Sequence, residues 1–280
     1  MSPGPGRYNS GRMTAADAAP LNTRPDRVAY SMRALGKEGL PPRFALNGIT
    51  YHLLRTVKHD FFAATAFYRD DGGTTVVLKA GRTGDFAGLP LLWLGRWLCR
   101  REMSFYTKLS DVPNVPAVLG TVGPTGFVHE FVPGTPLEKH LPVPDGFFDE
   151  LRDLLAELHR RGLAYVDTNK PQNILLGDDR MPHLIDFQIS WDCETFDVTG
   201  LRALNRWLLR RLQHEDFYHV LKHKRRMRPD EMTPEETEAS TRKSALIRLH
   251  RFLFKPYFAL RRRTFKRLRE TGRLMPEGSK

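Results

Sequence analysis

Three polar residues close short apolar runs in the segment AYVDTNKPQNILLGDDRMPHLIDFQIS, residues 164–190: Asp167, Asn173 and Asp186. A carboxylate at the end of an apolar strand loses hydration unless a cation or several donors meet it. Two carboxylates and an amide in one segment offer hard oxygens of the kind that hold a metal ion with phosphate behind it. Two upstream residues extend the set. Lys79 ends the apolar run TTVVLKAG, and Glu102 is the one charge on an apolar helical face. A strand lysine can hold phosphate oxygens, and a helix glutamate can hold that lysine by an ion pair. Asn and Asp can offer oxygens to Mg²⁺ bridging the phosphates, and a further aspartate can orient or deprotonate an attacking hydroxyl.

The elements that must position these residues follow from periodicity. TYHLLRTV, AATAFYRD and TTVVLKAG alternate as strands, and DDGG between the last two is a hairpin signal. From Leu91 to Leu109 the period is helical, with Leu94, Leu98, Glu102, Phe105 and Leu109 on one face. Trp93 and Trp97, four apart on the same stretch, read as packing residues. VPAVLGTV and GFVHEFV are two more strands around GPTG. DGFFDELRDLLAELHRRG has the acidic start, apolar stripe and glycine stop of a helix. The segment with Asp167, Asn173 and Asp186 follows as two short strands around GDDR. TGLRALNRWLLRRLQHEDFYHVLKHKRRM and TPEETEASTRKSALIRLHRFLF are helical. The latter opens on a cap at Thr233, Pro234 at the first helical position and Glu236 at the capping-box position. Residues 1–45, rich in Pro, Gly, Ala, Ser and Arg without apolar periodicity, read as a mostly disordered tail with one short helix near DRVAYSMRALG.

Composition narrows the class. No run of about 18 apolar residues exists, so no membrane-spanning helix is expected. The N-terminus has no apolar core of a secretory signal, and Cys99 and Cys193 allow no disulfide framework or Cys-rich zinc site, so a cytoplasmic location is the default expectation. Charge is uneven. From residue 200 onward 22 Lys/Arg face 9 Asp/Glu, while the first 199 residues carry 22 against 23. Residues 242–269 alone hold eleven Lys/Arg and no Asp/Glu, interleaved with Leu, Phe and Tyr. That pattern suits an anionic membrane surface, peripheral at its inner face, where each well-placed cation is worth about 1 kcal/mol, or an anionic substrate; a helix of the C-terminal lobe with a solvated basic face is the plain alternative. No recognised motif for nucleic acid accompanies the charge, so nucleic acid is not an expected partner.

The order strand-Lys, helix-Glu, Asp…Asn, Asp-Phe-X resembles the protein-kinase-like superfamily over roughly residues 48–215. Asn173 and Asp186 stand 13 residues apart, as in that family, and NILL and LIDF match its motifs. The resemblance implies that Lys79 contacts the α- and β-phosphates of ATP and Glu102 pairs with it. It implies that Asp167 is the catalytic aspartate, that Asn173 and Asp186 hold Mg²⁺, and that Glu130, Phe131 and Val132 form the hinge that receives adenine. Lys170, at the usual three-residue distance from Asn173, would reach the γ-phosphate. The departures are specific. TVKHDFFAAT has no glycine where the family has a Gly-rich loop. His-Arg-Asp reads Tyr165-Val166-Asp167, so activation through a phosphorylated loop is not expected. Asp167 lies six residues before Asn173 where the family has five. Asp-Phe-Gly reads Asp186-Phe187-Gln188, and no Ala-Pro-Glu follows. Such departures resemble most the bacterial lipopolysaccharide core kinases, which phosphorylate Kdo or heptose, and more distantly the RIO kinases.

Plain alternatives stand beside each residue. Lys79 can be a solvated strand end, Glu102 a helix-surface charge, Glu130 a strand-end charge, and Asp167, Asn173 and Asp186 turn formers. His129 and His159 read as core or helix-face residues. The expected fold is α+β and bilobal. Residues 46–132 form a small antiparallel-sheet N-lobe, 133–232 a helical C-lobe with the catalytic loop, and 233–280 a basic amphipathic helical extension. The expected activity is ATP- and Mg²⁺-dependent phosphoryl transfer to a hydroxyl, on a lipopolysaccharide-type or other glycan or lipid-linked sugar. An atypical serine/threonine protein kinase is the enzyme alternative. A pseudokinase that binds membrane or a partner through its basic tail is the non-enzymatic one.

Overall fold

A computed structural model describes residues 33–86, 88–194 and 201–241. The fold is α+β. A six-stranded antiparallel sheet with one helix forms an upper lobe, and a mostly helical lobe lies below it. Strands β1 (Arg43–Leu46), β2 (Ile49–His59), β3 (Ala63–Asp70) and β4 (Thr75–Gly81) follow one another by hairpins. Helix α1 (Leu92–Lys108) comes next, then β5 (Val118–Val122) and β6 (Gly126–Glu130), which complete the sheet in the order β1-β2-β3-β4-β6-β5.

β1 departs from the expectation of a tail through residue 45. Asn47 and Gly48 both take positive φ, 52° and 80°, and join β1 to β2 in a two-residue hairpin. An Asn-Gly pair adopts this left-handed turn at little cost, and its twist matches the strands. Phe44 then packs on Tyr51 and Tyr68, so a segment polar in composition is anchored by one aromatic residue. Residues 33–42 depart from it too: Ala34 is fully buried, its N donates to Asp60 O at 2.8 Å and its carbonyl accepts from Thr83 N and Gly84 N at 2.9 Å, while residues 1–32, with most of the expected short helix, lie outside the described residues.

There are two apolar cores, and α1 packs on β4, β5 and β6 of the sheet while it contributes to the larger core. The small one under the sheet contains Phe44, Tyr51, Tyr68, Val76, Leu78 and Val128. The larger one takes Phe105, Tyr106 and Leu109 from α1 and Phe147, Leu151, Leu155 and Leu158 from α2 (the helix Phe147–Arg160, preceded by the short strand β7, Gly134–Pro136). One helix thus belongs to both lobes. Gly95 permits its approach to the chain after β4, since a Cβ there would meet the Arg82 carbonyl oxygen at 1.9 Å. The same packing corrects the reading of Trp93 and Trp97. They are 64% and 49% exposed, because α1 buries the face of Glu102, Phe105 and Leu109. Spacing of four says that two residues share a face, not which face it is.

Below α2 the chain runs through β8 (Leu163–Ala164), two consecutive 3₁₀ turns at Asp167–Asn169 and Pro171–Asn173, then β9 (Ile174–Gly177), β10 (Pro182–Leu184) and β11 (Trp191–Asp192). β10, β9 and β7 form one small sheet, and β11 turns back onto β8. Helix α3 (Arg202–Met227) supports this region, and α4 (Pro234–Thr241) packs on α3. The Thr233 hydroxyl accepts from Glu236 N, and the Glu236 carboxylate accepts from Thr233 N, each at 3.2 Å. That is the reciprocal capping box read from the sequence. Residues 242–269 lie outside the described residues. No described helix is long and apolar enough to cross a membrane.

Candidate active site

Two clusters of charged and amide side chains face each other between the lobes. The first centres on one ammonium. Lys79, near the end of β4, donates to Glu102 Oε1 of α1 and to Asp186 Oδ1, both at 2.7 Å. β4 pairs with β3 and β6 on both sides, so Lys79 sits on a fixed strand. Burial pushes the Glu102 carboxyl up to about 6 against the pull of Lys79. Asp186 ends below the usual carboxylate range, because the charge and hydrogen bond of Lys79 outweigh its burial. Together the two carboxylates hold Lys79 above its ordinary value despite burial. An ammonium has three donors, and two are used here, which leaves one for a phosphate oxygen.

The second cluster centres on one carboxylate oxygen. Asp167 Oδ2 accepts from Lys170 Nζ at 2.7 Å and from Asn173 Nδ2 at 2.8 Å. The extra residue between Asp167 and Asn173 does not part them, because the two 3₁₀ turns shorten the path. Asp167 is buried, and that raises its pKa, with the nearby Asp186 charge adding to the effect and Lys170 opposing it. The two clusters thus lie within electrostatic reach of each other.

Strain and its restraint shape the loop. Val166 and Asp186 take φ values of 68° and 64°. For a β-branched residue this is a costly region, on the order of 1–3 kcal/mol. Asp216 of α3 holds it. Its Oδ1 accepts from Val166 N at 2.8 Å and Thr168 Oγ1 at 2.7 Å, and its Oδ2 from Tyr165 N at 2.8 Å and His159 Nε2 at 3.1 Å. Asp186 N donates to Tyr106 Oη at 3.1 Å. Phe187 is enclosed by Phe105, Tyr106 and Tyr165. The single Tyr165 Oη proton is shared between the carbonyls of Ile185 and, at 3.2 Å, Asn173, which ties the segments of Asn173 and Asp186 together. After Asp186, Arg101 of α1 donates to the Gln188 and Ser190 carbonyls, and this fixes the segment where a longer loop would otherwise begin.

The glycine-free loop between β2 and β3 is closed by side chains. Asp60 Oδ1 accepts from Phe62 N and Ala63 N at 2.8 and 3.0 Å. The fully buried Arg82 donates to the Phe61 carbonyl at 2.8 Å and lies 4.1 Å over the Phe61 ring. Lys58, bound to Asp60 at 2.7 Å, is near enough for its charge to act on both Asp167 and Asp186 in the lowering direction.

At the expected hinge the parts divide. The exposed Glu130 side chain accepts from Ala117 N at 3.1 Å, and Glu130 N donates to Ala117 O at 2.9 Å, so its carboxylate braces the sheet edge. Phe131 and Val132 are half-buried, and Phe131 packs edge-on against Phe67 at 5.0 Å. His129 is buried and stacks on Tyr106. Its Nδ1 lies 2.8 Å from the Glu130 carbonyl; a carbonyl only accepts, so Nδ1 carries the proton.

Sequence reasoning passed over Lys58, Arg82, Arg101 and Asp216. Asp216 had a faint signal, an acid in the apolar-flanked EDFYHV of a basic helix. The other three carry no such local signal. A larger groove of about 250 Å³, lined by Asp111, Glu150, Glu157 and Arg161 among others, shares no residue with the cleft.

Burial holds the His129 imidazole down to about 4. Its folded pKa lies below the unfolded value, so the unfolded chain takes up a proton first as pH falls. Stability should therefore drop between about pH 6.5 and 4, at a limiting slope on the order of 1.4 kcal/mol per pH unit for this one group. Urea denaturation of wild type and His129→Gln across that range measures the slope; equal slopes would remove His129 from the acid response.

No family model matches the sequence, and no curated protein matches it. Among solved structures the chain is similar to kinases. Against the Rio2 kinase–ADP/Mg²⁺–phosphoaspartate complex from Chaetomium thermophilum the TM-score is 0.47 at 19% identity, over 66% of this chain and 59% of that one. Against the Rio2 kinase from the same organism the values are 0.45 and 18%, over 67% and 62%. Against the BubR1 kinase domain they are 0.46 and 15%, over 69% and 66%. The chain thus spans about three fifths of the length of the Rio2 chains. The chemistry of the cleft rests on its own geometry.

Proposed function

We propose that the protein is an ATP- and Mg²⁺-dependent phosphotransferase acting on a hydroxyl acceptor. The observation that carries this reading is the pairing of the two clusters: Lys79 held by Glu102 and Asp186, opposite Asp167 held by Lys170 and Asn173. Lys79, aided by the charge of Lys58, holds the phosphates. Asp167 orients the acceptor hydroxyl and takes its proton, and Lys170 neutralises charge on the transferred group. Adenine meets the backbone at Phe131 and Val132, since the Glu130 side chain is engaged elsewhere. The Asp186 carboxylate and the Asn173 amide oxygen would hold Mg²⁺, which supplies neutralisation of phosphate charge. The donor set fits. Among the described residues no cluster of three or more His, Cys, Asp or Glu could cage a metal alone, and Mg²⁺ characteristically takes one or two protein oxygens and completes its shell with phosphate and water.

For the acceptor we favour a glycan or lipid-linked sugar, of the lipopolysaccharide type, over a peptide. The chain after Asp186 is tied by Arg101, turns back at β11 onto β8, and enters α3 by Arg202. Little length remains for a platform on which a peptide would lie. The glycine-free loop clamped by Arg82 favours a second reading, a nucleotide-binding pseudokinase.

Millimolar Mg·ATP should raise the melting temperature, since a ligand at 100 times its Kd adds about 2.7 kcal/mol to the native state. Lys79→Met and Asp186→Asn should each remove most of that shift. An unchanged melting curve in wild type would count against any nucleotide role. Labelled ATP incubated with cell-envelope fractions and with protein substrates then separates the rest: label in envelope glycan supports the sugar reading, label in protein the kinase alternative, and binding without transfer the pseudokinase.

A further inference from the structure

Helix α1 turns a second face to solvent. Trp93, Arg96, Trp97 and Arg100 recur at helical spacing on one side, and all four are exposed. The only acid in α1 is Glu102, buried on the opposite side against Lys79. The exposed face therefore carries two indole rings, two guanidinium groups and no carboxylate.

The chain before α1 extends its apolar part. Phe86 and Leu89 exchange backbone hydrogen bonds of 3.0 and 2.9 Å and stand 37% and 63% exposed. Phe61 packs on Phe86 at 5.2 Å and lies under the Arg82 guanidinium, so the Phe86 ring is braced. Single exposed apolar residues need no explanation, but two tryptophans one helical turn apart, preceded within seven residues by exposed Phe86 and Leu89, mark an interaction surface.

We propose that this face seats the protein on an anionic phospholipid surface. Indole rings prefer the headgroup level, where an apolar body and a polar N–H are both accommodated. Arginines interleaved with them place apolar stems in the same layer and charged ends on lipid phosphates. Charge complementarity selects the partner, because every charged group exposed on the Trp side of the helix is a cation. The surface shares no residue with the cleft, and it stands whether or not the cleft transfers phosphate. Since α1 also carries Glu102, docking would fix the cleft at a constant height over the lipid.

The test uses the full chain with vesicles of phosphatidylcholine alone or mixed with phosphatidylglycerol, read by co-sedimentation and by quenching of tryptophan fluorescence with acyl-brominated lipid. Wild type should bind the anionic vesicles and be quenched. Arg96→Gln with Arg100→Gln should weaken binding by about tenfold or more, two cations being removed. Trp93→Ala with Trp97→Ala should weaken binding and lose most of the quenching, Trp191 and Trp207 remaining. Melting temperatures should stay at the wild-type value, because all four side chains are exposed. Equal binding to neutral vesicles would overturn the proposal. So would variants that bind and quench like wild type, which would place the contact in residues 242–269. Absence of binding to either vesicle would overturn the lipid as occupant and leave an acidic protein.

Discussion

Asp167→Asn should lower turnover by about 10²- to 10⁴-fold, the range that a positioned acid–base group contributes, while Mg·ATP affinity stays close to wild type. The substitution removes the basic oxygen that would take the acceptor proton. It keeps one carbonyl oxygen to accept from Lys170 or Asn173, so the loop retains part of its hydrogen bonding. Lys79, Glu102 and Asp186 make their contacts without it. A loss confined to kcat with nucleotide binding preserved is the signature of a group that acts on the attacking hydroxyl. Single-turnover phosphotransfer alongside a nucleotide titration separates the two quantities. Wild-type turnover in Asp167→Asn would leave the residue as a turn former.

Asp216→Ala should destabilise the protein by roughly 3–5 kcal/mol, the scale of leaving several buried donors without acceptors, and should abolish activity. Asp216 is almost wholly buried and accepts from four donors, three of them within residues 165–168. Removing it orphans two backbone N–H groups and releases the strained Val166 that places Asp167. Asp216→Asn should also be costly, since its NH₂ would face donors instead of accepting from them. Chemical denaturation gives the stability change, and amide exchange at Tyr165 and Val166 reports the loop directly. A loss under about 1 kcal/mol, the net worth of one ordinary hydrogen bond, with both amides still protected, would show that the turn holds itself.

How far the cleft was legible depended on what each residue's signal consisted of. Lys79, Glu102, Asn173 and Asp186 stood out because a charged or amide group interrupted an apolar period, and such an interruption is local in sequence. The three strands, the α1 stripe, the acidic start of α2 and the capping box at Thr233 were local for the same reason. β1 carried an equally local sign in Asn47–Gly48, but the Pro- and Gly-rich composition before it masked the turn. Trp93 and Trp97 shared a face that periodicity could not orient, because both faces of α1 are apolar at that end.

The sequence by itself determined that a strand lysine, a helix glutamate and an Asp…Asn…Asp series stand in order, on elements whose periods place them at strand ends and on one helix face. Hydrophobic patterning alone does that, because it acts between neighbours along the chain. Folding in three dimensions was needed to show that the Lys79 ammonium joins Glu102 to an Asp186 107 residues beyond the lysine, that Asp216 gathers the loop 50 residues before it, and that Arg82 closes a loop without glycine. A buried charge is tolerated only where partners from distant segments arrive with matching geometry. No window of sequence contains those partners together; packing of α1 against the sheet and of α3 against the loop of residues 165–168 brings them there.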